Sequence, residues 1–168
     1  MTWLLYLLAA VVLLFGFVVL FGAPYLPTLS RQQQQALDLL NLRPGQTLVE
    51  LGSGDGRMLK AAAERGIYAI GYELNPLLVV YSWLVTRRHR GLVRVRLGNF
   101  WRLPLPACDG VYVFLLDRYM AKLDDKLQRE GVRPLRLVSF AFRIPGKTAS
   151  AQKNGLYLYK YDHKKSEV

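Results

Sequence analysis

The residues able to do chemistry gather in one short stretch and at one later position. "LVELGSGDGRM", Leu48 to Met58, carries Gly52, Gly54 and Gly56 on alternate positions, with Ser53 between the carboxylates Glu50 and Asp55. Glu73 follows in "GYELNP". Glycines let a backbone turn sharply and approach a ligand closely, while the charges decide which ligand. A P-loop needs G-x-x-x-x-G-K-[ST], but Arg57 and Met58 stand where its second glycine and its lysine belong. A dinucleotide fingerprint needs G-x-G-x-x-G, and here the third glycine, Gly56, comes one position early. A carboxylate about 4 Å from a phosphate charge is repelled by roughly 4 kcal/mol at an effective dielectric of about 20. S-adenosylmethionine has no phosphate. Its sulfonium and α-amine are positive, its carboxylate suits a helix N-terminus, and its ribose hydroxyls suit Glu73, as in dinucleotide sites. The bland alternative is a tight strand-to-helix turn, which gives Glu50, Gly56 and Glu73 no shared purpose. An S-adenosylmethionine site is expected.

The elements that must hold these residues follow from periodicity and punctuation. "SRQQQQALDLLNL" from Ser30 reads as a helix with Ala36, Leu37, Leu39 and Leu40 on one face. "TLVEL" is a buried strand that runs into the glycines, and "RMLKAAAERG" is the helix that leaves them. "IYAIGYE" is a second strand, with Glu73 at its end. "NPLLVVYSWLVTRRHRG" is a helix opened by Pro76 and closed by Gly91. "LVRVRLG", "GVYVFLL", "LRLVSFAF" and "GLYLYKYD" read as further strands, and "DRYMAKLDDKLQREG" as an amphipathic helix. This alternation predicts an α/β fold, a Rossmann-like and mainly parallel sheet with ligands at the C-terminal ends of its strands.

Ahead of that domain lies "TWLLYLLAAVVLLFGFVVLFG", uncharged from Thr2 to Gly22. As a helix it would span roughly 30 Å, a bilayer's hydrocarbon thickness. A signal peptide would want a basic start and a small-x-small cleavage site, and neither is present. The expected organisation is a transmembrane anchor over 1–22, a Pro-broken connector over 23–29 and a catalytic domain over 30–168. The first charged side chain is Arg31, so all 23 Lys and Arg follow the span. The positive-inside bias then puts the domain on the cytoplasmic or matrix-equivalent side. With only 12 Asp and Glu, the formal net charge is +11, a surplus that favours acidic partners. "TRRHRGLVRVR" and the tail "HKK" suit an anionic lipid face. Nucleic acid is the rival partner, less natural beside an anchor and not expected. The single cysteine, Cys108, and two distant histidines, His89 and His163, offer neither a disulfide framework nor a metal site.

"LVELGSGDGR", "GYELNP" and "GNFW" together resemble the seven-β-strand (class I) methyltransferases. With "PYLPT" and "LVSFAFRIP", the chain more narrowly resembles the small membrane-anchored lysine methyltransferases. Mitochondrial members of that family modify adenine nucleotide translocase and the c-ring protein of ATP synthase. The resemblance runs from about Ala23 to Pro145. It implies a class I sheet with an antiparallel last strand, in which the short C-terminal region reduces the sixth and seventh strands. By position, Glu50, Gly52, Ser53, Gly54, Asp55 and Gly56 would form the methionine side of the pocket. Glu73, Leu74 and Asn75 would hold the ribose, and Asn99, Phe100 and Trp101 would lie by the adenine.

The implied reaction is methyl transfer to a lysine of a membrane-associated protein. Such an acceptor must be neutral although its free pKa is near 10.4. A partly desolvated channel with aromatic walls would favour the neutral amine and tolerate the methylated cation. Phe114, Tyr119 and Trp101 are the candidate walls, and Asp117 the candidate catalytic or substrate-orienting residue. Their structural alternatives are core packing for Phe114, packing beneath the cofactor for Trp101, and an N-cap for Asp117. Two further functions remain open: methylation of a lipid, quinone or other small apolar acceptor, and a tethered module that binds the cofactor without turnover.

Overall fold

The computed structural model describes residues 30–132 and 134–162, together with 2–6, 8, 9 and 12. The expected connector, most of the expected anchor and the basic tail from 163 lie outside the described residues. Among the described residues, no helix is long and apolar enough to cross a membrane.

Helix α1, Ser30–Leu40, buries Ala36, Leu37 and Leu40 and turns Gln34 to solvent. The alternation expected from the sequence follows: β1 Thr47–Leu51, α2 Arg57–Ala63, β2 Tyr68–Glu73, α3 Pro76–Thr86 and β3 Val93–Leu97. Then come β4 Gly110–Val113, α4 Met120–Glu130, β5 Leu135–Phe140, β6 Ala151–Lys153 and β7 Leu156–Tyr161. The strands form one seven-stranded sheet in the order β3-β2-β1-β4-β5-β7-β6. The first five in that order are parallel, β7 is antiparallel to β5, and β6 is antiparallel to β7. This is the class I methyltransferase sheet with its antiparallel last strand. Chain order reverses between β1 and β4, which opens a crevice at their C-terminal ends.

β1 and β4 are central and buried along nearly their whole length, as their apolar runs require. One face of the sheet packs on α1 and α2 through Leu37, Leu48, Met58, Leu59 and Ile67. The other packs on α4, whose Met120, Leu123 and Leu127 fall on one stripe. Burying each of these three contributes roughly 1.5–3 kcal/mol.

The elements differ from the sequence expectation in three places. The α-helix expected to run to Gly91 ends at Thr86, whose Oγ1 donates to the Ser82 carbonyl at 2.7 Å, and a 3-10 turn, Arg87–His89, follows. The helix expected from Asp117 opens with a 3-10 turn, Asp117–Tyr119, before α4 begins. The short β6 was not foreseen. Asn154 and Gly155, both at positive φ (49° and 78°), make the two-residue turn that folds it against β7. The reduction expected of the last strands is confined to β6, three residues long, since β7 has six.

Candidate active site

β1 delivers Glu50 to the end of the sheet, one residue before the strand gives way to the glycines. Gly52 and Ser53 both donate their N–H to the Tyr72 carbonyl at 2.9 Å, which ties the start of the loop to β2. Gly52, Gly54 and Gly56 all have positive φ (89°, 52° and 77°), the left-handed region that L side chains avoid. A Cβ on Gly52 would meet nothing within 4 Å, so this part of the loop faces open space. Gly56 is different. A Cβ there would lie 2.0 Å from Ser82 Oγ, so its lack of a side chain serves the close approach of α2 to α3.

The three carboxylates have different surroundings. Asp55 is held by Arg57, whose Nε donates to Oδ2 at 2.7 Å and whose N–H reaches Oδ1 at 3.2 Å. Glu73 accepts from Gly54 N–H through Oε2 at 2.8 Å, and from Leu74 and Asn75 N–H through Oε1 at 2.9 and 2.8 Å. One side chain thus pins the glycine loop to the corner between β2 and α3. A carboxylate offers about four acceptor positions. A grip on two ribose hydroxyls through both oxygens therefore meets an Oε1 already doubly engaged; Oε2 is the oxygen with room. Glu50 is only 6% exposed, and its Oε2 has no partner among the described residues. Burial pushes the Glu50 carboxyl well above the ordinary carboxylate range, and the charges of Asp55 and Glu73 push it the same way.

Asn75 closes the corner. Its Oδ1 accepts from Leu77 N–H at 2.9 Å and caps α3, with Pro76 as the first helical residue. Its Nδ2 is buried without a partner, as are Ser53 Oγ and Ser82 Oγ. Such atoms each cost roughly 1–3 kcal/mol when left unpaired. Glu50 Oε2, Ser53 Oγ and Asn75 Nδ2 thus offer acceptors and a donor around a glycine loop with open space before it. This set fits a polar, cationic ligand such as S-adenosylmethionine.

The second wall comes from beyond β3. Gly98 N–H donates to the Glu73 carbonyl at 2.8 Å, bringing the "NFW" turn beside the end of β2. Asn99 Oδ1 accepts from Trp101 N–H at 3.0 Å and shapes that turn. Phe100 stacks on Trp101 with ring centroids 4.6 Å apart, and Trp101 lies 5.9 Å from Tyr119. Lys122 Nζ sits 4.6 Å over the Trp101 ring. Phe114 follows β4 and meets Phe140 of β5 edge-on at 4.9 Å. Asp117 is exposed. The caps of the 3-10 turn and of α4 are Leu116 and Tyr119, so Asp117 does not take the capping role considered for it.

Tyr72, Ser82 and Phe140 were not singled out in the sequence. Ser82 had a readable signal: with Thr86 it makes a hydroxyl pair four residues apart in an otherwise apolar helix. Tyr72 acts through its backbone carbonyl, which side-chain chemistry does not announce.

The model of the family described as the ANTKMT methyltransferase domain matches residues 50–151. The chain is 35% identical over 124 residues to the lysine N-methyltransferase of the ATP synthase c-ring protein from Homo sapiens, covering 73% of this chain and 53% of that protein. It is 41% identical over 125 residues to the adenine nucleotide translocase lysine N-methyltransferase of Mus musculus, covering 73% and 54%. The chain spans about half the length of these curated relatives. Among solved structures, it superposes on an RNA methyltransferase from Salinibacter ruber in complex with S-adenosyl-L-homocysteine. There the TM-score is 0.76 and the identity 24%, over 85% of this chain and 98% of that one.

Proposed function

The chain belongs to the ANTKMT methyltransferase family, and from that membership we propose that it is an S-adenosylmethionine-dependent protein-lysine N-methyltransferase acting on a membrane-associated protein. The observation that carries the cofactor reading is Glu50, a buried carboxylate whose Oε2 lacks a partner, beside Asp55 and Glu73. A bound cation would relieve that crowding of negative charge. The acceptor class follows the relatives, whose names specify lysine methylation of the ATP synthase c-ring protein and of adenine nucleotide translocase.

In this reading Glu50, Gly52, Ser53, Gly54, Asp55 and Gly56 hold the methionine side, and Gly56 does so by letting α3 close behind the loop. Glu73, Leu74 and Asn75 hold the ribose, with Glu73 Oε2 as acceptor, and Asn99, Phe100 and Trp101 flank the adenine. Bound there, S-adenosylmethionine supplies an electrophilic methyl group on a sulfonium, with a neutral thioether as leaving group. The chain's own contribution is position, worth several kcal/mol when acceptor and donor are aligned at near-contact distance. Phe114 and Tyr119, with Trp101, form an apolar approach that favours the neutral amine of the acceptor and tolerates the methylated cation. Asp117, exposed at the mouth of that approach, orients the incoming lysine. The segment 1–22 anchors the chain as a single pass, 23–29 connects it, and 30–168 works on the cytoplasmic or matrix-equivalent side against an anionic lipid face.

Calorimetry tests the site: S-adenosylmethionine binds the intact chain, and Glu73→Ala abolishes measurable binding. No binding, or no effect of the substitution, removes the proposal. Radiolabelled methyl donor incubated with membranes tests the acceptor. Label in protein, at lysine, supports the proposal. Label in solvent-extractable lipid supports the small apolar acceptor, and cofactor binding without turnover a non-catalytic module.

A further inference from the structure

Helix α3 is built inside out. The face it turns to the protein carries Val79, Ser82 and Thr86. The face it turns to solvent carries Leu77, Val80, Tyr81, Trp83 and Leu84, each 45–59% exposed. Leu77, Val80, Tyr81 and Leu84 fall at i, i+3, i+4 and i+7, a continuous stripe along one side. Small residues inside are explained by the close approach at Gly56, but nothing within the domain explains the large apolar residues outside. A contiguous exposed stripe of this kind marks an interaction surface.

Charge selects its partner. The stripe runs directly into Arg87, Arg88 and Arg90, and Arg94 and Arg96 stand exposed on β3, the edge strand beside it. Two open grooves flank this end of α3. One, of about 530 Å³, is lined in part by Lys60, Arg87, Arg88 and His89. The other, of about 510 Å³, is lined in part by Trp83, Arg90, Arg94 and Arg96. The one carboxylate among the groove-lining residues, Glu64, lies 3.7 Å from Lys60 and is balanced by it.

We propose that the outer face of α3 docks onto the surface of an anionic phospholipid bilayer, with its apolar stripe at the acyl boundary and the adjoining arginine grooves on lipid headgroup phosphates. A helix with large apolar and aromatic residues on one side and arginines at the rim is suited to that interface. Each arginine near an anionic surface contributes about 1 kcal/mol. A second copy of the chain would bring the same arginines face to face and repel. The chain's own residues 1–30 contain no charged side chain; they could cover the stripe but would leave the arginines without counter-charge. A bilayer satisfies both. α3 starts at Pro76, directly after Glu73 and Asn75, so docking through it holds the cofactor corner close to the membrane plane. The inference deepens the membrane-substrate reading and rests on it for its purpose; its chemistry stands on α3 alone.

The test uses the full chain with Cys108→Ser, carrying either Leu84→Cys or, as a control on the opposite face of the sheet, the exposed position Gln128→Cys. Each cysteine bears an environment-sensitive nitrobenzoxadiazole label and is mixed with phosphatidylcholine vesicles with or without phosphatidylglycerol. The label at 84 is expected to brighten severalfold with anionic vesicles, to be quenched by spin-labelled lipid, and to lose this response with Arg87→Glu plus Arg88→Glu. The label at 128 is expected to stay dark. No change at 84, or an equal response to uncharged vesicles, overturns the proposal. So does a label already bright without vesicles: concentration-dependent brightness means a second copy covers the stripe, and concentration-independent brightness means residues 1–30 do. Methyl transfer to a detergent-solubilised acceptor, measured alongside, reports on the proposed function separately. It persists where only docking fails, and it is lost with docking intact where only the enzymatic reading fails.

Discussion

At the scale of single residues, Glu50 links ionisation to ligand binding. Its folded pKa is raised by burial first and by Asp55 and Glu73 next, above the ordinary 4.5. A group raised in this way contributes stability that is present below its unfolded value and is lost as pH rises through the folded one. Cofactor-free protein should therefore lose stability with rising pH across that window. A cationic ligand favours the ionised carboxylate, so its affinity should rise across the same window, with a proton released on binding. Calorimetry in buffers of different ionisation enthalpy would show the release. Glu50→Gln should remove both pH dependences and weaken S-adenosylmethionine binding about ten- to a hundredfold, the worth of a hydrogen bond to a charged group. An unchanged pH profile in the variant would assign the ionisation elsewhere.

At the scale of elements, the contact between α2 and α3 makes the glycine loop rigid. Gly56→Ala should destabilise the protein through two separable effects: the left-handed φ, about 1–2 kcal/mol, and overpacking against Ser82, about 1–3 kcal/mol. Adding Ser82→Gly should recover the second part but not the first, and denaturant unfolding of the two single variants and the double variant measures the coupling. If the double variant is no more stable than Gly56→Ala alone, Ser82 is not the obstacle. Much at this scale was legible in the sequence. Apolar runs placed β1 and β4, Asn75 and Pro76 marked the start of α3, and Glu73 stood at a strand end. β6 was missed although "NG" at 154–155 is a strong hairpin signal, because three half-polar residues carry too little periodicity to read as a strand. The faces of α3 were illegible in principle. Its residues are apolar almost all round, and only the position of Gly56 in space decides which side goes in. Glu73's triple engagement with backbone N–H groups was equally hidden, since it depends on where the loop returns rather than on residue type.

At the scale of the whole molecule, β7 closes the sheet and ties its far side together. It pairs with β5 along all six residues of that strand, from Leu135 to Phe140. Tyr159 Oη accepts from Ile144 N–H at 3.0 Å, and Tyr161 Oη donates to Asp124 of α4 at 2.5 Å, where Lys147 Nζ also binds at 2.6 Å. Burial and Asp124 together push the Tyr161 phenol upward, so it stays a donor throughout the physiological range. Truncation after Ser150 should uncover β5 as a bare apolar edge. The expected result is an insoluble or non-cooperatively unfolding chain, visible by size exclusion and thermal melting. A soluble, cooperative truncated chain would show that the five parallel strands fold unaided.

The hydrogen bonds of Glu73 also set what can replace it through descent. Glutamine has nearly the same shape, but its amide nitrogen would face at least one backbone N–H wherever it points, donor against donor. Aspartate has the right charge on a stem one carbon shorter, so it could not keep its hold on both Gly54 and the Leu74–Asn75 corner. Position 73 is thereby nearly closed to single-step exchange. A lineage that altered it would have to reshape the loop in the same step, so this site should drift less than the glycines it holds in place.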